Sequence, residues 1–350
     1  MTPETVSTPA ELGERLRAHA AAGRRVRLLG RGTRGRLLAP PPADAVGVSV
    51  AALSAIERLE PDDLTCSVQP GVTCAALAAA LAETGLELGG LDGGDPGTIG
   101  GLLAADPLPL ASPGAPCPRA ALLGLDAILA DGTSFRSGSR VVKSVAGFDV
   151  HRPFVGSRGR LFAAVLLHLK LRAAPRVRVA FAAAPDAPDA QLRRFLALRR
   201  LPEPPRRLVL RRADGGALAL DGELGGRPAQ VEATLQAHGL GPATRGADHV
   251  TPPPEHELVV GAVRVSRAAQ LLASLPAAAP FALHAGGHFE CALRPADGDA
   301  LLRALPALDA WGAIALGDAA RVGRGTPLDP GAARLEQALR RALDPGEVLA

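Results

Sequence analysis

The chain has no tyrosine, one tryptophan, one methionine and only two lysines, Lys143 and Lys170, so its 39 basic residues are almost all arginine. Aromatics make up 3 % of the 350 residues, although the net charge is +4 and the pI about 9.3. A nucleic-acid surface needs bases to stack on aromatic side chains, which argues against such a partner. The arginine and alanine excess is read as a compositional bias. Four cysteines, Cys66, Cys74, Cys117 and Cys291, stand far apart with no C-x-x-C pair. That spacing argues against a zinc ribbon, an iron–sulfur cluster or a thioredoxin-type site and leaves buried thiols as the expectation. No uninterrupted apolar run is long enough for a direct membrane span, and "MTPETVSTPAELGERLR" has no apolar leader core, so a cytoplasmic location is expected.

What is present is a hydrophobic content of 47 %, enough for a substantial core, and a length that suggests two domains. Up to Pro175 the chain reads as strands whose connecting loops hold the glycines. "LTCSVQPGVTCAALAAALAETGLEL" is a strand, a Pro70-Gly71 turn and a helix, with Thr73 as N-cap and Gly85 just past its end. "LLGLDAILADGTSFRSG" predicts two strands joined at Asp131-Gly132. Residues 176–205, rich in Ala, Pro and Arg, are expected to be a linker. From 206 to 350, hairpins alternate with helices, one of them capped by Ser266. The pattern predicts an antiparallel sheet with helices on one face, and a terminal helix that packs through Leu335, Leu339 and Leu343.

Two loops carry the chemistry. "GRGTRG" (30–35) follows a strand and can curl successive backbone N–H groups into an anion-binding nest, with Arg31 and Arg34 adding charge. It lacks the G-K-[ST] ending of a P-loop, so a nucleoside triphosphatase reading is not supported. "DPGTIGG" (95–101) concentrates Gly97, Gly100 and Gly101 in one turn, as if another object must lie close against the backbone.

The order of the Gly-rich loop, "QPGVTCAALAAALAETGLEL", "GTIGG", "LADGTSFRSG" and "KSVAGFDVHRPFVGSRGRL" resembles the PCMH-type FAD-binding domain shared by vanillyl-alcohol oxidase, D-lactate dehydrogenases and glycolate oxidase. Length and "VVKSVAGFDV" bring it nearest to the smaller FAD-binding subunit of glycolate oxidase complexes. The resemblance covers roughly residues 24–175 and implies an α+β chain of two domains. These are a PCMH-type FAD-binding domain over 1–175 and a smaller antiparallel-sheet α+β domain over 206–350. It further implies that Gly30, Arg31, Gly32 and Thr33 cradle the flavin pyrophosphate. Asp95, Gly97, Thr98, Gly100 and Gly101 would run along the ring and ribityl chain, with Gly71 nearby. Lys143, Gly147 and Asp149 match the family's K-x-x-x-G-x-D block. "GSRGRLFAAV" departs from the family pattern by placing Arg160, Phe162 and Val165 where a threonine, a glycine and a threonine are usual.

No histidine stands in the first loop, so noncovalent FAD is expected. "HAGGHFE" sets out His284, His288 and Glu290 like a metal cluster, but the Gly-Gly between the histidines predicts a hairpin turn and no metal site. His151 is a candidate site residue, Arg119 and Arg152 are candidate carboxylate ligands, and the catalytic residues stay unassigned. The resemblance implies flavin-mediated oxidation of a small 2-hydroxyacid, glycolate or D-lactate, with electrons passed to a larger flavin subunit and an iron–sulfur subunit. Those partners would also supply any membrane association. A stand-alone FAD-dependent D-2-hydroxyacid dehydrogenase and a non-catalytic structural subunit are the alternatives.

Overall fold

The computed structural model describes residues 3–34, 42, 44–91, 93–105, 114, 118–140, 149–212, 216–244, 246, 249–318, 320–327 and 329–350. Lys143 and Gly147 lie outside them. The fold is α+β, and the chain divides into two compact units: the described residues of 1–107, 118–174 and 328–350, and those of 108–117 and 175–327.

In the first unit, Val46–Ser49 lies between Glu4–Thr5 and Val26–Leu29 in a three-stranded parallel sheet. The helix Pro9–Ala21 covers it. Thr8 caps that helix by accepting from the Glu11 N–H, and the Glu11 carboxylate reaches back to the Ser7 N–H, so two otherwise orphaned donors are satisfied. Leu12 and Leu16 on its inner face join Val6, Val26 and Val48 in one apolar cluster. A second, antiparallel sheet has the order Ile56–Glu60, Thr65–Val68, Ala163–Lys170, Leu122–Ile128, Ser134–Gly138. Its last two strands form the expected hairpin, with Gly132 at φ +81°. Helix Cys74–Ala82 begins at Thr73, whose hydroxyl accepts from the Ala76 N–H at 3.0 Å, and Gly85 follows it at φ +68°.

The second unit is one eight-stranded antiparallel sheet built from two βαββαβ halves. The first half is Val177–Ala183, helix Pro188–Arg199, Arg207–Arg212, Leu218–Gly226, helix Pro228–Ala237 and Leu240–Pro242. The second is Glu257–Ala262, helix Ala268–Ala273, Phe281–His284, His288–Leu293, helix Pro295–Ala304 and Trp311–Leu316. The halves join where Arg207–Arg212 pairs with Phe281–His284, Val209 opposite His284. Side chains alternate across this sheet. Phe281, Leu283, Phe289 and Cys291 belong to the large helix-side cluster, and Ala282 and Ala292 to a smaller one with Val209 and Val260.

Four expectations are corrected. Residues 176–205 are not a linker: they form the first strand and helix of this sheet, because Phe181, Phe195 and Leu198 bury completely in its core and Gln191 donates to the Ala184 carbonyl. The boundary at 206–350 also fails at its far end, since helix Pro330–Leu343 and the tail after it belong to the first unit. There Val26 donates to the Val348 carbonyl at 2.6 Å and Ala350 to the Val26 carbonyl at 2.9 Å, while Asp344 accepts from the Val348 and Leu349 N–H groups. Of the predicted packing stripe on that helix, Leu343 meets the core but Leu335 is exposed. Ser266 caps nothing: it sits inside a 3-10 turn, Val265–Arg267, that precedes the helix.

Cys66, Cys74 and Cys291 are buried, and burial pushes the Cys66 thiol up to about 12. His284 and His288 flank a hairpin turn in which Gly287 takes φ +94°. Glu290 accepts from His249 Nδ1 at 2.7 Å and from the Val250 N–H at 2.8 Å. Among the described residues no group of three or more His, Cys, Asp or Glu side chains could hold a metal ion.

His288 is 3 % exposed, and burial, reinforced by His284 and His249, lowers its pKa from 6.5 to about 3. Between those two values the unfolded chain binds a proton that the native chain does not, so stability falls as pH drops through this window and is fully retained above it. Replacing the residue, as in His288→Gln, is expected to flatten the change in urea midpoint between pH 7 and pH 4. An unchanged slope would remove His288 from the acid response.

Candidate functional site

Three segments of the first unit converge on a solvent-open cleft of about 790 Å³, a volume that counts the open solvent at its mouth. The loop Gly30–Arg34 leaves the end of strand Val26–Leu29 and turns at Gly32, φ +73°. The turn 97–101 runs into helix Ile99–Ala105. The third segment is Arg158–Ala164, which enters the central strand of the antiparallel sheet.

The first two segments are locked by backbone packing. The turn at 97–100 lies along Pro70–Cys74, with Cys74 N–H donating to the Gly97 carbonyl at 3.0 Å. In the same way Ile99 N–H donates to Val72 and Gly100 N–H to Pro70, both at 2.8 Å. A Cβ on Gly100 would run into Pro70, and one on Gly71 into the Val50, Ala51 and Leu53 carbonyls. Thr98, 1 % exposed, stands so close to Gly30 that a Cβ there would strike its hydroxyl. Its Oγ1 accepts from the Gly101 N–H at 3.2 Å.

The floor is apolar. Phe162 is fully buried, edge-on to Phe135 at 5.1 Å between ring centroids and stacked with Phe154 at 5.8 Å. The departure from glycine at this position therefore completes an aromatic cluster beneath the cleft. Small side chains, Ala104, Ala105, Ala163 and Ala164, leave the walls low. The rim is basic: Arg27, Arg31, Arg34 and Arg158 line the cleft, and no acidic residue does so among the described residues. Burial lowers the pKa of Arg27 and of Arg158, though not far enough to discharge a guanidinium, and Glu336 opposes the shift at Arg158. Arg158 is held at φ +59°, between Gly156 and Gly159. Arg160, beside it, is half-buried with its Nε unpartnered, and burial, then Arg340 and Arg158, lower its pKa.

Of the residues expected at the site, Gly30, Arg31, Gly32, Thr33, Thr98, Gly100 and Gly101 line this cleft. Gly71, Asp95, Gly97 and Asp149 do not. Gly71 serves the packing of two backbones, and Asp149 pairs with Arg152 at 3.3 Å in an exposed loop. Arg152 also donates to the Arg119 carbonyl at 3.3 Å, so the two arginines form a loop contact rather than a carboxylate fork. His151 is buried away from the cleft, its N–H donating to Ser137 Oγ at 3.0 Å and its Nδ1 3.2 Å from the same oxygen. Desolvation lowers its pKa. Reading the sequence missed Arg27, Pro70, Phe154 and Arg158. The flanking Gly156 and Gly159 marked a turn at "SRG", but the positive φ that singles out Arg158 is seen only in the structure.

The cleft fits a flat, anionic cofactor. Backbone amides and guanidinium groups at one end suit phosphate, and alanines and phenylalanines suit an aromatic ring. Residues 4–138 match the family model of the FAD binding domain, which identifies the cofactor as FAD. An uncharacterized FAD-linked oxidoreductase of Mycobacterium tuberculosis is 31 % identical over 162 residues, 44 % of this chain and 34 % of that protein. A glycolate oxidase subunit of Bacillus subtilis is 33 % identical over 114 residues, 31 % of this chain and 23 % of that protein. The mitochondrial cytochrome-type D-lactate dehydrogenase of Arabidopsis thaliana is 28 % identical over 155 residues, 43 % of this chain and 27 % of that protein. The match thus spans about a third or less of these relatives' own lengths. Among solved structures, alkyldihydroxyacetonephosphate synthase shares the fold, with a TM-score of 0.69 at 12 % identity over 99 % of this chain and 74 % of that one.

A Cβ on Gly101 would stand 3.2 Å from Thr98 Oγ1 and 3.6 Å from the Arg34 guanidinium, so a longer side chain must project into the cleft. Gly101→Leu is expected to abolish FAD retention while Gly101→Ala retains most of it, with far-ultraviolet dichroism unchanged in both. Undiminished flavin content in the leucine variant would remove this turn from the cofactor site.

Proposed function

We propose, from the premise that residues 4–138 form an FAD binding domain, that this chain is a flavin-carrying subunit of a 2-hydroxyacid oxidase or dehydrogenase acting on glycolate or D-lactate. The observation that carries the reading is the cleft itself, a basic rim and an aromatic floor, in a chain that is similar over 114 residues to a glycolate oxidase subunit and over 155 residues to a D-lactate dehydrogenase. Bound FAD supplies the hydride acceptor.

The chain's own residues do three things in this reading. The amides of Gly30–Thr33 and the rim arginines hold the anionic end, where charge-assisted hydrogen bonds are strongest. The turn 97–101, held by Pro70–Cys74, presents bare backbone at Gly100 and Gly101 beside the Thr98 side chain. Phe154 and Phe162 keep water out from below.

The cysteines offer no cluster-binding spacing, so electrons leave through partners: a larger flavin subunit and an iron–sulfur subunit. No helix among the described residues is long and apolar enough to cross a membrane, so membrane attachment in this reading comes through those partners.

The test begins with the visible absorption spectrum of the purified protein before and after acid precipitation. Flavin bands that move to the supernatant are expected of noncovalent FAD. Anaerobic glycolate and D-lactate are then expected to bleach the flavin slowly in the isolated chain and rapidly once the partner subunits are added. Rapid bleaching by the chain alone supports a stand-alone dehydrogenase instead. No bleaching by either acid, with or without partners, sinks the 2-hydroxyacid assignment.

A further inference from the structure

Asp95 lies just outside the lining of a cleft whose described lining residues include no acid, and it holds one of the lining arginines. The Arg34 guanidinium donates to Asp95 Oδ2, with the two side chains 12 % and 25 % exposed. Asp95 Oδ1 meanwhile accepts from the Gly97 N–H at 2.7 Å. One carboxylate therefore ties the arginine to the glycine turn. The guanidinium crosses that turn where a Cβ on Gly97 would strike it.

We propose that Asp95 is an internal competitor for the cofactor's pyrophosphate: it neutralises Arg34 in the empty cleft and yields it when FAD binds. The proposal rests on FAD being the cofactor. A largely buried guanidinium without an acceptor is costly, so an apoprotein needs a counter-ion for it. A pyrophosphate offers more oxygens and more charge than one carboxylate, and guanidinium takes phosphate in the same bidentate fork. Asp95 is anchored a second time through Gly97, so it stays behind when Arg34 departs and then faces the incoming charge. Exchange of partners lowers affinity for the cofactor, at the gain of an ordered empty site.

Asp95→Asn tests this directly, because the amide oxygen still accepts from Gly97 while the charge is gone. FAD is titrated into stripped apoprotein and followed by quenching of flavin fluorescence. Inorganic pyrophosphate is titrated by calorimetry, with riboflavin as a ligand without phosphate. The asparagine variant is expected to bind FAD and pyrophosphate about three- to tenfold more tightly, as loss of a partly exposed ion-pair competitor implies, and riboflavin unchanged. Arg34→Ala is expected to weaken FAD and pyrophosphate, and in its background Asp95→Asn is expected to strengthen them by less than it does in the wild type, because only the charge facing the ligand is removed and no competition for Arg34 remains.

Weaker FAD binding by Asp95→Asn would make the aspartate a staple that aims Arg34 at its ligand, and would overturn the proposal. Equal affinities in wild type and variant overturn it too, leaving the cofactor assignment standing. A wild-type chain that binds neither FAD nor pyrophosphate overturns both.

Discussion

The backbone contact between Pro70–Cys74 and the turn at Gly97–Gly100 is the constraint on which the cleft depends. Three main-chain hydrogen bonds cross it, and two of its residues, Gly71 and Gly100, have no room for a Cβ. Buried backbone groups must find partners, and these find one another, so the wall is set by main chain rather than by side-chain fit. Thr98 then projects from a fixed platform toward Gly30, and the phosphate-suited loop meets the ring-suited turn at a fixed distance. Moving either segment would cost hydrogen bonds that no solvent rearrangement inside the core could replace.

Charge is distributed against that frame. Over the whole chain acids and bases nearly balance, yet four arginines line the cleft and none of its described lining residues is acidic. Low-dielectric walls strengthen the resulting field, which favours an anion and raises the cost of leaving a guanidinium alone. Elsewhere the same cost is met by fixed partners. In the second unit Arg207 and Arg211 share Asp221, and Arg321 holds both Glu257 and Asp299. In the cleft Arg34 is held likewise, by Asp95.

The second unit solves a different problem. Two βαββαβ halves, each with helices on one side, join at adjacent strands and share a continuous core in which Phe181, Phe195, Phe281 and Phe289 are buried. Joining them turns two strand edges that would be exposed into a paired interior, which removes a site for unwanted association. Its other face carries His284, His288 and Glu290 beside the small apolar cluster, so polar groups there are buried on a sheet.

Local chemistry in the sequence determined the elements that depend on near neighbours. Thr73 as a cap, Gly85 as a stop, Asp131-Gly132 as a hairpin turn and the Gly-rich loop after Leu29 were legible because each acts within a few residues of itself. The family resemblance, carried by motifs in fixed order, supplied the cofactor and seven residues that line the cleft. Only the tertiary structure decided what depends on distant residues. A composition rich in alanine, proline and arginine cannot reveal that 176–205 is a strand and helix, because the phenylalanines that bury there find their partners far along the chain. The return of the C-terminal tail to Val26, the pairing of Arg34 with Asp95 and the aromatic cluster under Phe162 are contacts between residues more than 300, 61, and 27 and 8 positions apart. No local pattern records them, since the energy that selects them appears only when the chain has closed on itself.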